Sequence, residues 1–98
     1  MNRNGGMPRP KFSLGQVVAT PAALNALEST GETPQDFLAR HWQGDWGDLV
    51  PEDVEANERA LVENRRIFSA YNLTDGSRLW IITEADRSVT TLLLPLDY

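Results

Sequence analysis

Glu84, Asp86, Arg87, Ser88 and Thr90 crowd one short stretch near the C-terminus, and an acid, a base and a hydroxyl at a strand end are the materials of general acid–base chemistry. Glu58 is a further carboxylate that could join Glu84, Asp86 and Arg87 in a small hydrolase-like set. The same residues have a plainer use. Asp and Ser are ordinary turn residues, and Glu84 and Arg87 are spaced to pair across the turn. Asn57 and Glu58 fall on the core side of a helix, where they can hydrogen-bond the hairpin or the glycine-rich loop. The expectation is a structural polar network of Asn57, Glu58, Glu84, Asp86 and Arg87, with no catalytic residue among them.

A second constellation, His41, Asp45, Asp48, Glu52 and Asp53, is rich in oxygen ligands for a hard cation such as Mg²⁺. Its spacing matches no Ca²⁺ loop, and acids at a helix start are more simply solvated, so neither a metal nor a cofactor is expected. The third candidate is Gly44-Asp45-Trp46-Gly47-Asp48-Leu49, where a tryptophan sits between glycines and aspartates on a loop. Tryptophan is the side chain richest in interface binding energy. Trp42, Asp45, Trp46, Asp48, Glu52, Asp53 and Glu55 therefore form the candidate partner-binding surface, although Trp46 folding back onto the helices is a competing arrangement.

Charge supports an interaction surface of one sign. The 98 residues carry a net −5, yet Arg3, Arg9 and Lys11 give the first twelve residues +3, which leaves −8 on the rest. Between Glu28 and Glu58 nine acids face one base, Arg40. Such a field repels phosphate, so direct binding of nucleic acid is disfavoured and a basic protein partner is favoured. The absence of cysteine excludes disulfides and thiolate chemistry, and a single histidine excludes a multi-histidine metal site within one chain. No apolar run approaches the ~20 residues of a membrane span, and the N-terminus lacks a secretory stretch, which points to a cytoplasmic protein with no membrane contact.

The elements that must position these groups are legible as one α+β domain over residues 12–98 behind a flexible basic tail, residues 1–11. Residues 12–19 alternate like a short strand. Thr20-Pro21 and Thr33-Pro34 are helix starts, closed by Gly31 and Gly44, and Pro51 opens a third helix that ends near Asn64. Residues 67–73, 78–83 and 88–94 read as a three-stranded antiparallel meander with Asp75-Gly76 at its first turn. The expected architecture is an antiparallel sheet with the first strand added at an edge and helices on one face. Leu79-Trp80-Ile81-Ile82 is apolar on both sides, so its outer face is covered by the tail, by a loop or by another chain, the last making a homodimer.

Gly44 to Leu49, Ala56-Asn57-Glu58 with Ala60-Leu61, Ser69-Ala70-Tyr71, and Trp80 to Ser88 with Thr90 and Leu93-Leu94-Pro95 form a series spread over the domain. Together these segments resemble a small protein family of bacterial plasmids, integrative elements and phages. Members are often labelled "type I restriction endonuclease subunit M". The chain lacks the glycine-rich cofactor turn and the Asn/Asp-Pro-Pro-aromatic segment that DNA methylation requires, and is too short for that fold. The resemblance implies a mobile-element setting and a link to restriction or host defence. The resulting expectation is a non-enzymatic acidic protein that engages a host protein, with anti-restriction or anti-CRISPR inhibition as its most specific form. The alternatives are the hydrolase-like hairpin and a homodimeric assembly factor.

Overall fold

Proline opens each of the three helices in the computed structural model, which describes residues 9–98: α1 (Pro21–Thr30), α2 (Pro34–Trp42) and α3 (Pro51–Glu63). Its fixed φ suits the first helical position, and its missing N–H is not needed there. Thr20 and Thr33 complete two of the starts, accepting hydrogen bonds from Ala23 N (3.1 Å) and Asp36 N (3.4 Å). Val50 offers no side-chain cap to α3, whose first turn instead carries Glu52 and Asp53 against the positive end of the helix dipole. Asn64 ends α3 in the left-handed region at φ 55°.

The strands are β1 (Gln16–Ala19), β2 (Ile67–Asn72), β3 (Arg78–Thr83) and β4 (Val89–Leu93), in the spatial order β1-β4-β3-β2. The meander is antiparallel with Ile67 opposite Thr83 and Ile81 opposite Leu92. β1 adds at the edge beside β4, but it runs parallel to it, with Val17 opposite Thr90, so the sheet is mixed rather than antiparallel. The reason is connectivity. The three helices carry the chain back across the sheet, so β2 starts in the same direction as β1, and β4, two antiparallel steps on, shares that direction. β1 is also shorter than the expected 12–19 span. Gly15 takes φ 64°, outside extended geometry, and Phe12 turns away to pack on His41 and Trp46.

Alternation puts Ser69, Tyr71, Leu79, Ile81, Thr83, Thr90 and Leu92 on the face that meets the helices. Ala23 and Leu27 of α1 and Phe37 of α2 close the larger core, and a satellite cluster joins Trp46, Ala60 and Ile67. Burying a side chain such as Leu27 or Ile81 contributes about 2 kcal/mol. On the other face Trp80 is half-buried, edge-on to Phe68 at 5.1 Å and to Tyr98 at 5.8 Å. Part of that cover thus comes from the chain's own C-terminal segment, beyond the 3-10 turn Pro95–Asp97. Asp97 anchors the turn by accepting from Thr20 Oγ1 (2.6 Å) and Leu94 N (2.9 Å).

Of the expected basic tail, residues 1–8 lie outside the described residues. Lys11 is tied to the domain, its N–H donating to the Trp42 carbonyl at 2.9 Å. No helix among the described residues is long and apolar enough to cross a membrane.

Candidate functional site

The glycine-rich loop turns inward. Gly47 has φ 78°, and a side chain there would collide with the Ala70 carbonyl and the Tyr71 ring, so only glycine lets the loop lie against β2. Ala70 N donates to Trp46 O (3.1 Å) and Asp48 N to Ala70 O (2.7 Å), a parallel bridge that extends the sheet by one step. This geometry drives Trp46 into the interior, where it is 4% exposed. Its ring packs on Phe12 at 6.2 Å and on His41 at 5.9 Å, and its indole N–H donates to Glu58 Oε2 at 2.9 Å. Trp46 is therefore not available as a surface anchor, which corrects the expectation that it inserts into a partner.

The aspartates beside it are also engaged at home. Asp45 accepts from Arg40 Nε (2.7 Å) and Gly47 N (3.1 Å), and the Arg40 bond holds its carboxyl below the usual range. Asp48 pairs with Arg78 at 2.8 Å. Trp42 remains partly exposed, but its indole N–H is committed to the Phe12 carbonyl at 2.7 Å. Of the expected partner-binding set, Glu52, Asp53 and Glu55 are the acids that α3 presents to solvent apart from the loop. Glu55 meets Arg59 one turn on (3.2 Å), whereas Glu52 and Asp53 make no ion pair among the described residues.

The polar residues expected to act together have separate partners. Asn57 is 3% exposed; its amide donates to Phe68 O (2.6 Å) and accepts from Phe68 N (3.1 Å), like a neighbouring strand. Glu58 holds the Trp46 indole. Glu84 pairs with Arg66 at 3.5 Å rather than with Arg87. Arg87 instead donates to the carbonyls of Ala60 (3.0 Å), Arg65 (2.7 Å) and Glu84 (3.1 Å), binding the end of α3 to the last hairpin. Asp86 accepts from the Ser88 hydroxyl (2.6 Å) and N–H (3.0 Å), which lowers its pKa. Glu58, Glu84, Asp86 and Arg87 thus do not converge on a common point.

A buried chain of hydrogen bonds is the cluster that sequence reasoning missed. His41 is fully buried, its Nδ1 lying 2.6 Å from Ser69 Oγ and its Nε2 2.9 Å from Thr83 Oγ1. Thr83 Oγ1 is 2.7 Å from Thr90 Oγ1, and Thr90 donates to the Leu14 carbonyl at 2.7 Å. That terminal carbonyl fixes every direction. Thr90 spends its one proton on Leu14, so Thr83 donates to Thr90 and must accept from His41 Nε2–H. Nδ1 of the neutral ring is then bare and accepts from Ser69. Burial favours that neutral ring, pushing the His41 pKa down to about 3.

A serine donating to a histidine is the start of a nucleophile, but Ser69, Thr83 and His41 are all sealed from solvent and His41 is backed by a hydroxyl rather than a carboxylate. The arrangement satisfies polar groups and ties α2 to three strand positions. The signal in the sequence was hydroxyls at inward positions of apolar strands, Ser69 between Ile67 and Tyr71 and Thr83 after Ile81. Among the described residues no group of three His, Cys, Asp or Glu side chains converges to hold a metal. His41 is turned to the hydroxyls, apart from the acids with which it was grouped as a cation site. Compared with known proteins, the chain matches no family model, no curated protein and no solved structure.

Proposed function

We propose that this chain is a non-enzymatic acidic binding protein that docks through the outer side of the first turns of α3, Glu52, Asp53 and Glu55, onto a basic surface of a host protein. The observation that supports it most is how the acids are disposed. Asp45, Asp48, Glu55, Glu63 and Glu84 each hold an arginine, while Glu52 and Asp53 project from the positive end of α3 without an ion pair among the described residues. Their field is left for another molecule. In its most specific form, which rests on the resemblance to mobile-element proteins, the partner is a nucleic-acid-handling defence complex of restriction or CRISPR type whose phosphate-binding groove is occupied.

The test is retention of host proteins by the immobilised chain, at low and at moderate salt, beside a variant carrying Glu52→Lys, Asp53→Lys and Glu55→Lys. The expected result is a basic protein held by the native chain, weakened by salt and lost from the variant, with circular dichroism unchanged. Equal retention by both chains, or retention insensitive to salt, contradicts the reading.

A further inference from the structure

The two edges of the sheet are treated differently. Along the middle of β2 the backbone groups that face away from β3 are taken: those of Phe68 by the Asn57 amide, and those of Ala70 by Trp46 and Asp48. Such covering is how natural sheets prevent edge-to-edge association. β1 has no such cover among the described residues. Gln16 N donates to Ser88 O (2.9 Å) and Thr20 N to Leu92 O (3.0 Å), so the two-residue period turns the N–H and C=O of Val17 and Ala19 away from β4. Val17 is 42% and Val18 40% exposed, and Gln16–Ala19 contains no charge, no proline and no bulge to discourage a neighbour.

We infer that β1 is a self-association edge, pairing antiparallel with β1 of a second copy about a two-fold axis at Val18 to make one continuous eight-stranded sheet. Two observations select a second copy as the occupant. First, Val17 and Ala19 flank Val18 symmetrically. With Val18 opposite Val18 of the second copy, Val17 exchanges both backbone hydrogen bonds with the copy's Ala19, and all the outward groups of the strand are satisfied. Second, charge restricts where two such molecules can meet. Copies with a net −5 repel, but residues 12–27, which contain β1 and most of α1, carry no charged side chain. Val17, Val18 and Leu24, three of the large apolar side chains left exposed, lie within that stretch. β1 lies at the opposite edge of the sheet from β2, against which the loop and α3 pack, so pairing there is independent of their docking role.

The mass in solution, by light scattering and sedimentation across micromolar to millimolar concentration, tests it. The native chain is expected at twice 11.0 kDa. Val17→Pro removes an N–H that serves no bond among the described residues, and Val17→Lys places a charge at the seam. Each is expected to raise the dimer dissociation constant about tenfold or more with the circular dichroism unchanged, and the lysine variant carries the test should the proline variant not fold. Val18→Cys, the only cysteine in its chain, is expected to oxidise to a covalent dimer that reports the pairing register: crosslinking at Val18→Cys but not at Gln16→Cys. A native chain that is monomeric throughout, or dimers that persist equally in both Val17 variants, overturns the inference. In the first outcome an extended segment of another protein becomes the remaining occupant for this edge.

Discussion

Lowering the pH from 7.5 to 5.0 should destabilise this protein through one residue. His41 is the only histidine, and the fold holds it neutral with a pKa of about 3 against about 6.5 in the unfolded chain. Above pH 6.5 both states are neutral and nothing is lost. Below it the unfolded chain takes up a proton that the folded chain refuses, so stability falls by about 1.4 kcal/mol per pH unit until pH approaches 3. At pH 5.0 the loss is about 2 kcal/mol, a large share of the ~5–10 kcal/mol expected of a domain this size. The carboxylates do not confuse the window. Those shifted downward, such as Asp45 beside Arg40 and Asp86 beside Ser88, withdraw their stabilisation only as pH falls below about 4. The assay is urea unfolding at both pH values, for the native chain and for His41→Gln. Glutamine can still donate to Thr83 but cannot titrate. It should cost about 1–3 kcal/mol at pH 7.5 from the orphaned Ser69 hydroxyl, and show no further loss at pH 5.0. A native chain equally stable at both pH values, or a glutamine variant with the same pH slope, would refute the assignment of a buried neutral ring.

Three further substitutions read the rest of the architecture. Trp46→Ala should lower stability by about 3–5 kcal/mol in chemical denaturation, because it empties the space between Phe12, His41 and Ala60 and orphans Glu58; a change under about 1 kcal/mol would mean the indole is not a core side chain. Asn57→Leu should cost about 2–3 kcal/mol and raise aggregation in light scattering, since it uncovers the Phe68 backbone at the β2 edge. Arg78→Ala should change the unfolding midpoint little, by about 0–1 kcal/mol, because its pair with Asp48 is solvent-exposed; a larger loss would show that this contact holds the glycine loop.

Features governed by neighbours in sequence were the legible ones. Thr20-Pro21 and Thr33-Pro34 are complete helix starts within four residues, Asn64 is a helix stop by its own backbone tolerance, and Asp75-Gly76 marks its hairpin. Together with the apolar alternation of the last three strands these are enough for an α+β fold with helices on one face. The direction of β1 was not legible, because it depends on how far three helices carry the chain before β2 begins. Trp46 misled for a related reason: a tryptophan between glycines reads as exposed until Gly47 is seen pressed against Ala70. The polar chain through His41 joins residues 28 and 42 positions apart, and no local pattern pairs a histidine with hydroxyls at that separation. Asn57 and Glu58 were visible as a polar pair on a core-facing side of α3, and the glycine-rich loop that Glu58 meets at the Trp46 indole was one of the partners considered for them, but the β2 edge that Asn57 covers is a tertiary fact.

Carboxyl footprinting of the chain, alone and in complex with whatever basic host protein it retains, tests the central reading most directly, because each acid reports its own accessibility by mass spectrometry. Labelling of Glu52, Asp53 and Glu55 is expected to fall in the complex at low salt and to recover at moderate salt, while Asp75 and Asp86 at the hairpin turns label as in the free chain. Unchanged labelling on α3, or protection confined to the hairpin turns, would contradict it.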